Sequence, residues 1–374
     1  MEVVVAGNGN NTLVADNLAD SLYGGSGNDT LFAGSGIDLL DGGAGNNALY
    51  MSNVGAAATI ALNGTSAGTA IWGTTSDTLY NMEIAVAGTG NDTIIADNLA
   101  DSIYGGSGND TIFAGSGVDL LDGQSGTNAL YLTNLSSGVL VQLNGTSQGT
   151  AIYGTSTTDK LYNFEVVVGG AGGNTLIADN LTDSLYGGSG DDSIFAGSGL
   201  DLLDGQAGNN TLYLTNLSTG VKVALNGTSA GTAIVGTVTD TLYNMEVVVA
   251  GNGNNTLIAD NNADTFFGGA GTDSLFAGSG QDYLDGGAGT NALFLTNLSQ
   301  GVTVTLNGTS QGSAVWGSVT DTLANIEIVV GGVGNNTLIA DNLTDSLYGG
   351  SGNDSIFAGS GKDLLDGMGG TNAL

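Results

Sequence analysis

AGNGNNTLV-ADNLADSLY-GGSGNDTLF-AGSGIDLLD-GGAGNNALY, residues 6–50, is one nine-residue phrase written five times. Each copy has a glycine-rich front, Asp or Asn at its sixth place and leucine at its eighth: Leu13, Leu22, Leu31, Leu40 and Leu49. A helix is excluded, because two or three glycines in nine residues cost about 1 kcal/mol each in a helix interior. The alternative is a tight turn followed by a three-residue strand. The middle side chain of such a strand points one way and its neighbours the other, so the leucines form an inward column. Two phrases make an 18-residue coil, and the predicted fold is all-β: a right-handed parallel β-roll or β-solenoid of stacked coils.

The same pattern recurs outward from this block. Units begin at Met1, Met82, Phe164, Met245 and Ile326, spaced 81, 82, 81 and 81 residues, with the one extra residue near Thr157-Thr158. The predicted organisation is 1–81, 82–163, 164–244, 245–325 and a truncated 326–374, each a nonapeptide block such as 6–50 followed by a spacer such as 51–86. A 36-residue spacer is the length of four more phrases, giving nine half-coils per unit. Nine is odd, which predicts that the blocks of successive units face opposite edges. MEVVVAGNGNNTL at Met1 recurs at Met245, and the chain stops partway through a unit at Thr371-Asn-Ala-Leu374; both read as a window cut from a longer chain.

Composition narrows the function. The 374 residues contain 67 Gly, no Pro, Cys or His, and only three cations, Lys160, Lys222 and Lys362, against 36 carboxylates. A net charge of −33 repels phosphate backbones and anionic headgroups, so nucleic acid is not an expected partner. No apolar run reaches the roughly 18 residues of a membrane span, no signal peptide is visible, and no disulfide can form. Acidic disordered chains are poor in apolar residues, whereas 41% of this one is hydrophobic, so a cation is expected to neutralise the folded form.

GGSGNDTLF at Gly24 to Phe32 and GGSGNDTIF at Gly105 to Phe113 fit the pattern GGxGxDxUx, with U a large aliphatic residue. The chain thereby resembles the repeats-in-toxin family, also called haemolysin-type calcium-binding repeats. The likeness extends to the spacer, as in GVTVTLNGTSQG and TDTLANIEIVVGG between Gly301 and Gly332. It implies a calcium-binding parallel β-roll, exported through a one-step type I channel and folding outside the cell. Two departures stand out: Asn replaces Asp at several sixth places, and ADNLAD at Ala15 to Asp20 puts Asp16 and Leu18 where glycines belong, which puts the geometry around Asp20 in question.

Residues 18 apart sit one above another, roughly 4.7–4.9 Å apart. Carboxylates so close repel unless a hard cation lies between them, and calcium takes six to eight oxygens from carboxylates and turn carbonyls. Magnesium demands a stricter octahedron, and zinc prefers the His or Cys that are absent. The pairs Asp20–Asp38, Asp101–Asp119, Asp183–Asp201, Asp264–Asp282 and Asp345–Asp363 are the leading calcium candidates. Asp29, Asp92, Asp110, Asp192, Asp273 and Asp354 form a second set on the other edge, where interspersed Asn11, Asn47 and Asn128 supply oxygen without charge and predict weaker binding. The alternative is that these side chains only cap turns by accepting amide hydrogens.

Other signals are weaker. GGSGND is not a phosphate loop, which needs one such turn between a strand and a helix. Asp77, Asp159, Asp240 and Asp321 accompany Glu83, Glu165, Glu246 and Glu327 in the spacers, but a glycosidase pair copied into every unit is unusual, and turn or ion roles are expected; no enzyme is predicted. Asn-Gly-Thr sequons such as those at Asn63 and Asn307 are assigned no role, and Trp72 and Trp316, matching Tyr153 and Val235, read as packing. Val14, Phe32 and Tyr50, then Ile95, Phe113 and Tyr131, share an outer face that marks a contact surface or lies under a neighbouring segment.

Near-identical units without a unique site predict a secreted or cell-surface bacterial structural protein that self-associates into a fibre, surface layer or matrix. The alternatives are an extender or ligand-binding segment of a large adhesin, with cell-surface or polysaccharide contact, or the calcium-binding tail of an exported enzyme. Ice binding needs flat threonine rows, and Gly88-Thr-Gly-Asn-Asp92 is the turn that offers one.

Overall fold

The computed structural model of the chain describes residues 2–154 and 157–374, and every regular element among them is a β-strand. The chain divides into two compact units, Met1–Gly190 and Asp191–Leu374.

Within Met1–Gly190 the phrases become strands Thr12–Val14, Asp20–Tyr23, Thr30–Phe32, Leu39–Asp41 and Ala48–Tyr50. Leu13 pairs with Leu31 and Leu31 with Leu49 in one parallel sheet, while Leu22 pairs with Leu40 in another. The chain therefore alternates between two sheets, and each 18-residue step climbs one rung. The leucine column is the core: Leu31, Leu40 and Leu49 are fully buried and Leu13, in the first coil, is 9% exposed. Each such side chain stabilises the stack by roughly 1.5–3 kcal/mol through burial, and no coil can bury both its faces alone.

The spacer departs from the expected four phrases. Ala58–Ala61, Gly68–Trp72 and Thr75–Tyr80 form an antiparallel three-stranded meander inserted in one sheet. Its last strand pairs in parallel with Leu39–Asp41 and its first with Thr93–Ile95. Opposite it, Ala48–Tyr50 pairs directly with Ile84–Val86, so the other sheet runs on without a break. The meander recurs at 139–162, 221–243 and 303–324.

The first, second and fourth repeats thus each visit the two sheets seven times rather than nine, and seven is also odd. The alternation of edges holds for this different reason. Asp29 leads into the sheet that contains Ser102–Tyr104, whereas Asp110 leads into the sheet that contains Thr93–Ile95. Within Asp191–Leu374, Thr211–Tyr213 and Ser274–Phe276 likewise fall in different sheets.

Candidate metal centres at the glycine turns

A ladder of side-chain oxygens runs up each edge of the stack. On one edge the Asn11 N–H donates to Asp29 Oδ1 (2.7 Å), Asp29 N–H to Asn47 Oδ1 (2.9 Å) and Asn47 N–H to Glu83 Oε2 (2.7 Å). On the other, Asp20 N–H donates to Asp38 Oδ1 (2.8 Å) and Asp38 N–H to Asp77 Oδ1 (2.8 Å). Each carboxylate therefore spends one oxygen on the amide of the rung below, and what matters chemically is the other oxygen.

That second atom separates Asn from Asp. The Asn11 amide donates to Gly9 O (2.7 Å), Gly24 O (3.2 Å) and Gly7 O (3.3 Å), and Asn255 repeats the pattern with Gly253, Gly268 and Gly251. Asparagine NH2 stands where a cation would stand, among the turn carbonyls. Where the residue is Asp, an acceptor faces those acceptors, and Asp29, Asp110, Asp273 and Asp354 each bury an Oδ2 with no hydrogen-bond partner. A Cβ built on Gly24 would lie 2.5 Å from Asp29 Oδ2 and 2.6 Å from Gly42 O. The same cradle recurs at Gly105 with Asp110 and Gly123, at Gly268 with Asp273 and Gly286, and at Gly349 with Asp354 and Gly367. Glycine at the phrase front is what lets a carboxylate and a carbonyl converge.

The Asp20-type edge is built differently. Asp16 Oδ1 accepts the Leu18 N–H (2.7 Å), an Asx turn in place of the missing glycines, and the Asp16 N–H donates to Asp20 Oδ2 (3.1 Å). Asp101, Asp264 and Asp345 take the equivalent amide, and each buries an unpartnered Oδ1; Asp38 and Asp119 bury an unpartnered Oδ2. Asp282 and Asp363 have both oxygens bonded to amides, as do Asp20 and, in the second set of aspartates, Asp92, which accepts from Ala58 and Gly88. Asp183 and Asp201 fall in different compact units; Asp183 accepts the Asp179 N–H (2.9 Å) and the Asp201 N–H donates to Asp240 (3.0 Å). The Asp192 N–H donates to Asn210 Oδ1 (3.1 Å). The paired aspartates of this edge are linked through a carboxylate-to-amide ladder, with the Asp20 N–H on Asp38 Oδ1 and the Asp101 N–H on Asp119 Oδ1.

Electrostatics records the strain. Burial pushes Asp110, Asp119 and Asp345 up to about 6, and Asp101 and Asp264 up to about 7. The spacer carboxyls are raised as well, Asp77 to about 7 and Asp321 to about 8, again from burial. These groups cannot hold charge comfortably unless a cation meets them. Among the described residues no three of Asp, Glu, His and Cys gather as a metal cluster, so glycine carbonyls must supply most of the donors. Hard oxygens, unpartnered buried carboxylate atoms and no nitrogen or sulfur ligand fit calcium.

Asp77 caps the Asp38 ladder and Glu83 the Asn47 ladder, on opposite edges, so they do not form the paired carboxylates of a glycosidase. Their capping role was one of the turn readings the sequence allowed. The surrogate role of asparagine was missed, although Asn at a metal position already carries the donor that explains it.

Asp29→Asn is expected to keep the fold, send its new amide to Gly42 O and lower the calcium number by one; Asn47→Ala, by contrast, is expected to cost about 1–3 kcal/mol of stability with the calcium number unchanged. Equilibrium dialysis beside circular dichroism checks this, and equal calcium loss in both variants would contradict it.

A family model described as RTX calcium-binding nonapeptide repeat (four copies) matches residues 5–40, 23–50, 95–130, 177–212, 244–275, 258–293 and 339–374, together more than half of the chain. The matched stretches are the glycine-turn blocks, and the meanders lie wholly outside them. A search of curated proteins returns no match.

Proposed function

The chain belongs to the RTX calcium-binding nonapeptide repeat family, and from that premise we propose that it is an extracellular structural array that folds on calcium and associates side by side into a fibre, layer or matrix. Calcium binding is the family's property, its repeats are structural rather than catalytic, and they are typical of secreted bacterial proteins. No helix among the described residues is long and apolar enough to cross a membrane.

The observation that carries the assembly reading is an aromatic pair on the outer side of the sheet in each block, on one sheet in the first repeat and on the other in the second. Phe32 and Tyr50 lie 5.1 Å apart between ring centroids, Phe113 and Tyr131 4.9 Å, Phe195 and Tyr213 4.5 Å, and Phe276 and Phe294 4.6 Å. All eight rings are half-buried. Aromatic pairs in register contribute across strands, and their exposed halves, repeated every unit, suit lateral contact. The ligands assigned to calcium in this reading are Asp29, Asp110, Asp273 and Asp354 with their cradle carbonyls, then the Asp38 and Asp119 turns.

Sedimentation velocity with millimolar calcium is expected to show association that Tyr50→Ser combined with Tyr131→Ser reduces. Monomers alone in the unsubstituted chain at that calcium level would sink the assembly reading.

A further inference from the structure

The meander of the second repeat holds a tyrosine in an unusual place. The Tyr153 hydroxyl is buried 2.7 Å from Gly117 O, 3.2 Å from Gly115 O, and 3.2 and 3.1 Å from the two carboxylate oxygens of Asp159. One proton is shared among four acceptors. Gly115 and Gly117 belong to the turn that precedes Asp119, the last rung of that edge, and Asp159 accepts the Asp119 N–H (2.8 Å). The hydroxyl thus marks a point on which two turn carbonyls and a spacer carboxylate converge.

The corresponding residues of the first repeat are Gly34, Gly36, Asp38 and Asp77, with Trp72 in the tyrosine's place; in the fourth they are Gly278, Gly280, Asp282 and Asp321, with Trp316. Tryptophan has no hydroxyl to offer. Asp77 and Asp321 are fully buried, each accepts the amide of the last rung at 2.8 Å through Oδ1, and each keeps an Oδ2 with no hydrogen-bond partner. In the second repeat Asp159, with the hydroxyl beside it, has no such atom.

We infer that the first and fourth repeats each bind an additional calcium ion where the block meets the spacer, held by the spacer aspartate (Asp77 or Asp321) and the two preceding glycine carbonyls, and that Tyr153 substitutes for this ion in the second repeat. These aspartates lie outside the nonapeptide pattern and outside the stretches matched to it. The chemistry is that of the asparagine turns, where a neutral donor replaces a cation among the same kinds of oxygen. The ion ties the meander to the last coil, a role that falls to the tyrosine hydroxyl in the second repeat.

The inference rests on calcium binding by the chain as a whole, and its test reads the extra sites separately. Calcium number is measured by equilibrium dialysis on the full chain, with circular dichroism in calcium to confirm the fold. Trp72→Tyr and Trp316→Tyr, swaps the chain itself makes between repeats, are each expected to lose one ion, and the reciprocal Tyr153→Trp to gain one. Trp72→Phe, lacking the hydroxyl, is expected to keep the original number. Unchanged numbers in both tyrosine variants and in Tyr153→Trp would overturn the inference while leaving the turn sites intact. Equal loss in Trp72→Phe and Trp72→Tyr would also overturn it, because repacking rather than a hydroxyl would then be responsible. A chain that binds no calcium at all would overturn the wider reading too. Should Trp72→Tyr fail to fold, Tyr153→Trp decides alone.

Discussion

In chelator, lowering the pH from about 8 to about 5 is expected to raise the strand content of the chain, the reverse of ordinary acid unfolding. The ordinary case has carboxyls whose folded pKa lies below the unfolded value, so acid removes stability. Here burial raises the folded values: from 3.8 to about 7 for Asp77, Asp101 and Asp264, and to about 8 for Asp321. Their contribution is therefore fully present below about pH 4 and is lost as pH rises through the range 6–8. For fully buried Asp77, a rise from 3.8 to about 7 corresponds to roughly 4 kcal/mol against the ion-free fold at high pH. Several such groups, under a net charge of −33, exceed the 5–15 kcal/mol that stabilises a typical domain. Protons and calcium act on the same oxygens, so the calcium affinity of the folded chain should fall as pH is lowered from about 8 to about 5. Strand content that falls on acidification in chelator would contradict this account.

The second large effect concerns Gly45→Ala. Gly45 has φ 137°, and a Cβ there would lie 1.9 Å from Gly27 O and 2.6 Å from Gly27 C. Both atoms are backbone of the coil below, so nothing flexible can yield; the rungs must separate, and the Gly27 carbonyl, two residues before Asp29, moves with them. Gly9 supplies an internal control, with φ 106° and nothing within 4 Å of the built Cβ. Gly9→Ala should cost only the backbone strain of about 1–3 kcal/mol, whereas Gly45→Ala adds a steric cost on the order of 3 kcal/mol or more. Thermal melts in saturating calcium compare them, and matching midpoints would mean that the coils are not stacked as closely as described.

The 18-residue coil was legible because a nine-residue period with leucine at one fixed place permits one stacking, and Leu13, Leu31 and Leu49 pair as that period requires. The spacer was not, because its length of 36 residues equals four phrases while its sequence does not repeat them. A signal was present. Asn63-Gly64 is a strong hairpin dipeptide, and Gly64 sits at φ 54° in a turn closed by the Ser66 N–H to Asn63 O at 2.9 Å. Read as part of a chance glycosylation sequon, it hid the meander. The edge alternation came out right because seven and nine share parity, which is a coincidence of counting rather than insight into the spacer.

At the site, residue positions were legible and atom roles were not. Sequence spacing places Asp38 above Asp20, but it cannot show that Oδ1 goes to the amide below and that only the second oxygen is left for an ion. That division depends on the pleat and on the glycine φ angles, which put amides and carbonyls on a common axis. Asp16 shows the same limit: its Asx turn replaces two glycines through a side-chain bond that no spacing rule contains.

The central claim is that bound calcium, meeting buried carboxylate oxygens that nothing in the protein partners, is what makes this chain a β-roll. Far-ultraviolet circular dichroism at about pH 8 tests it directly, since a ligand bound only by the folded state stabilises that state alone. The expected result is a strand spectrum in millimolar calcium that collapses in excess chelator and returns when calcium is restored. A strand spectrum unchanged by excess chelator at that pH would contradict it.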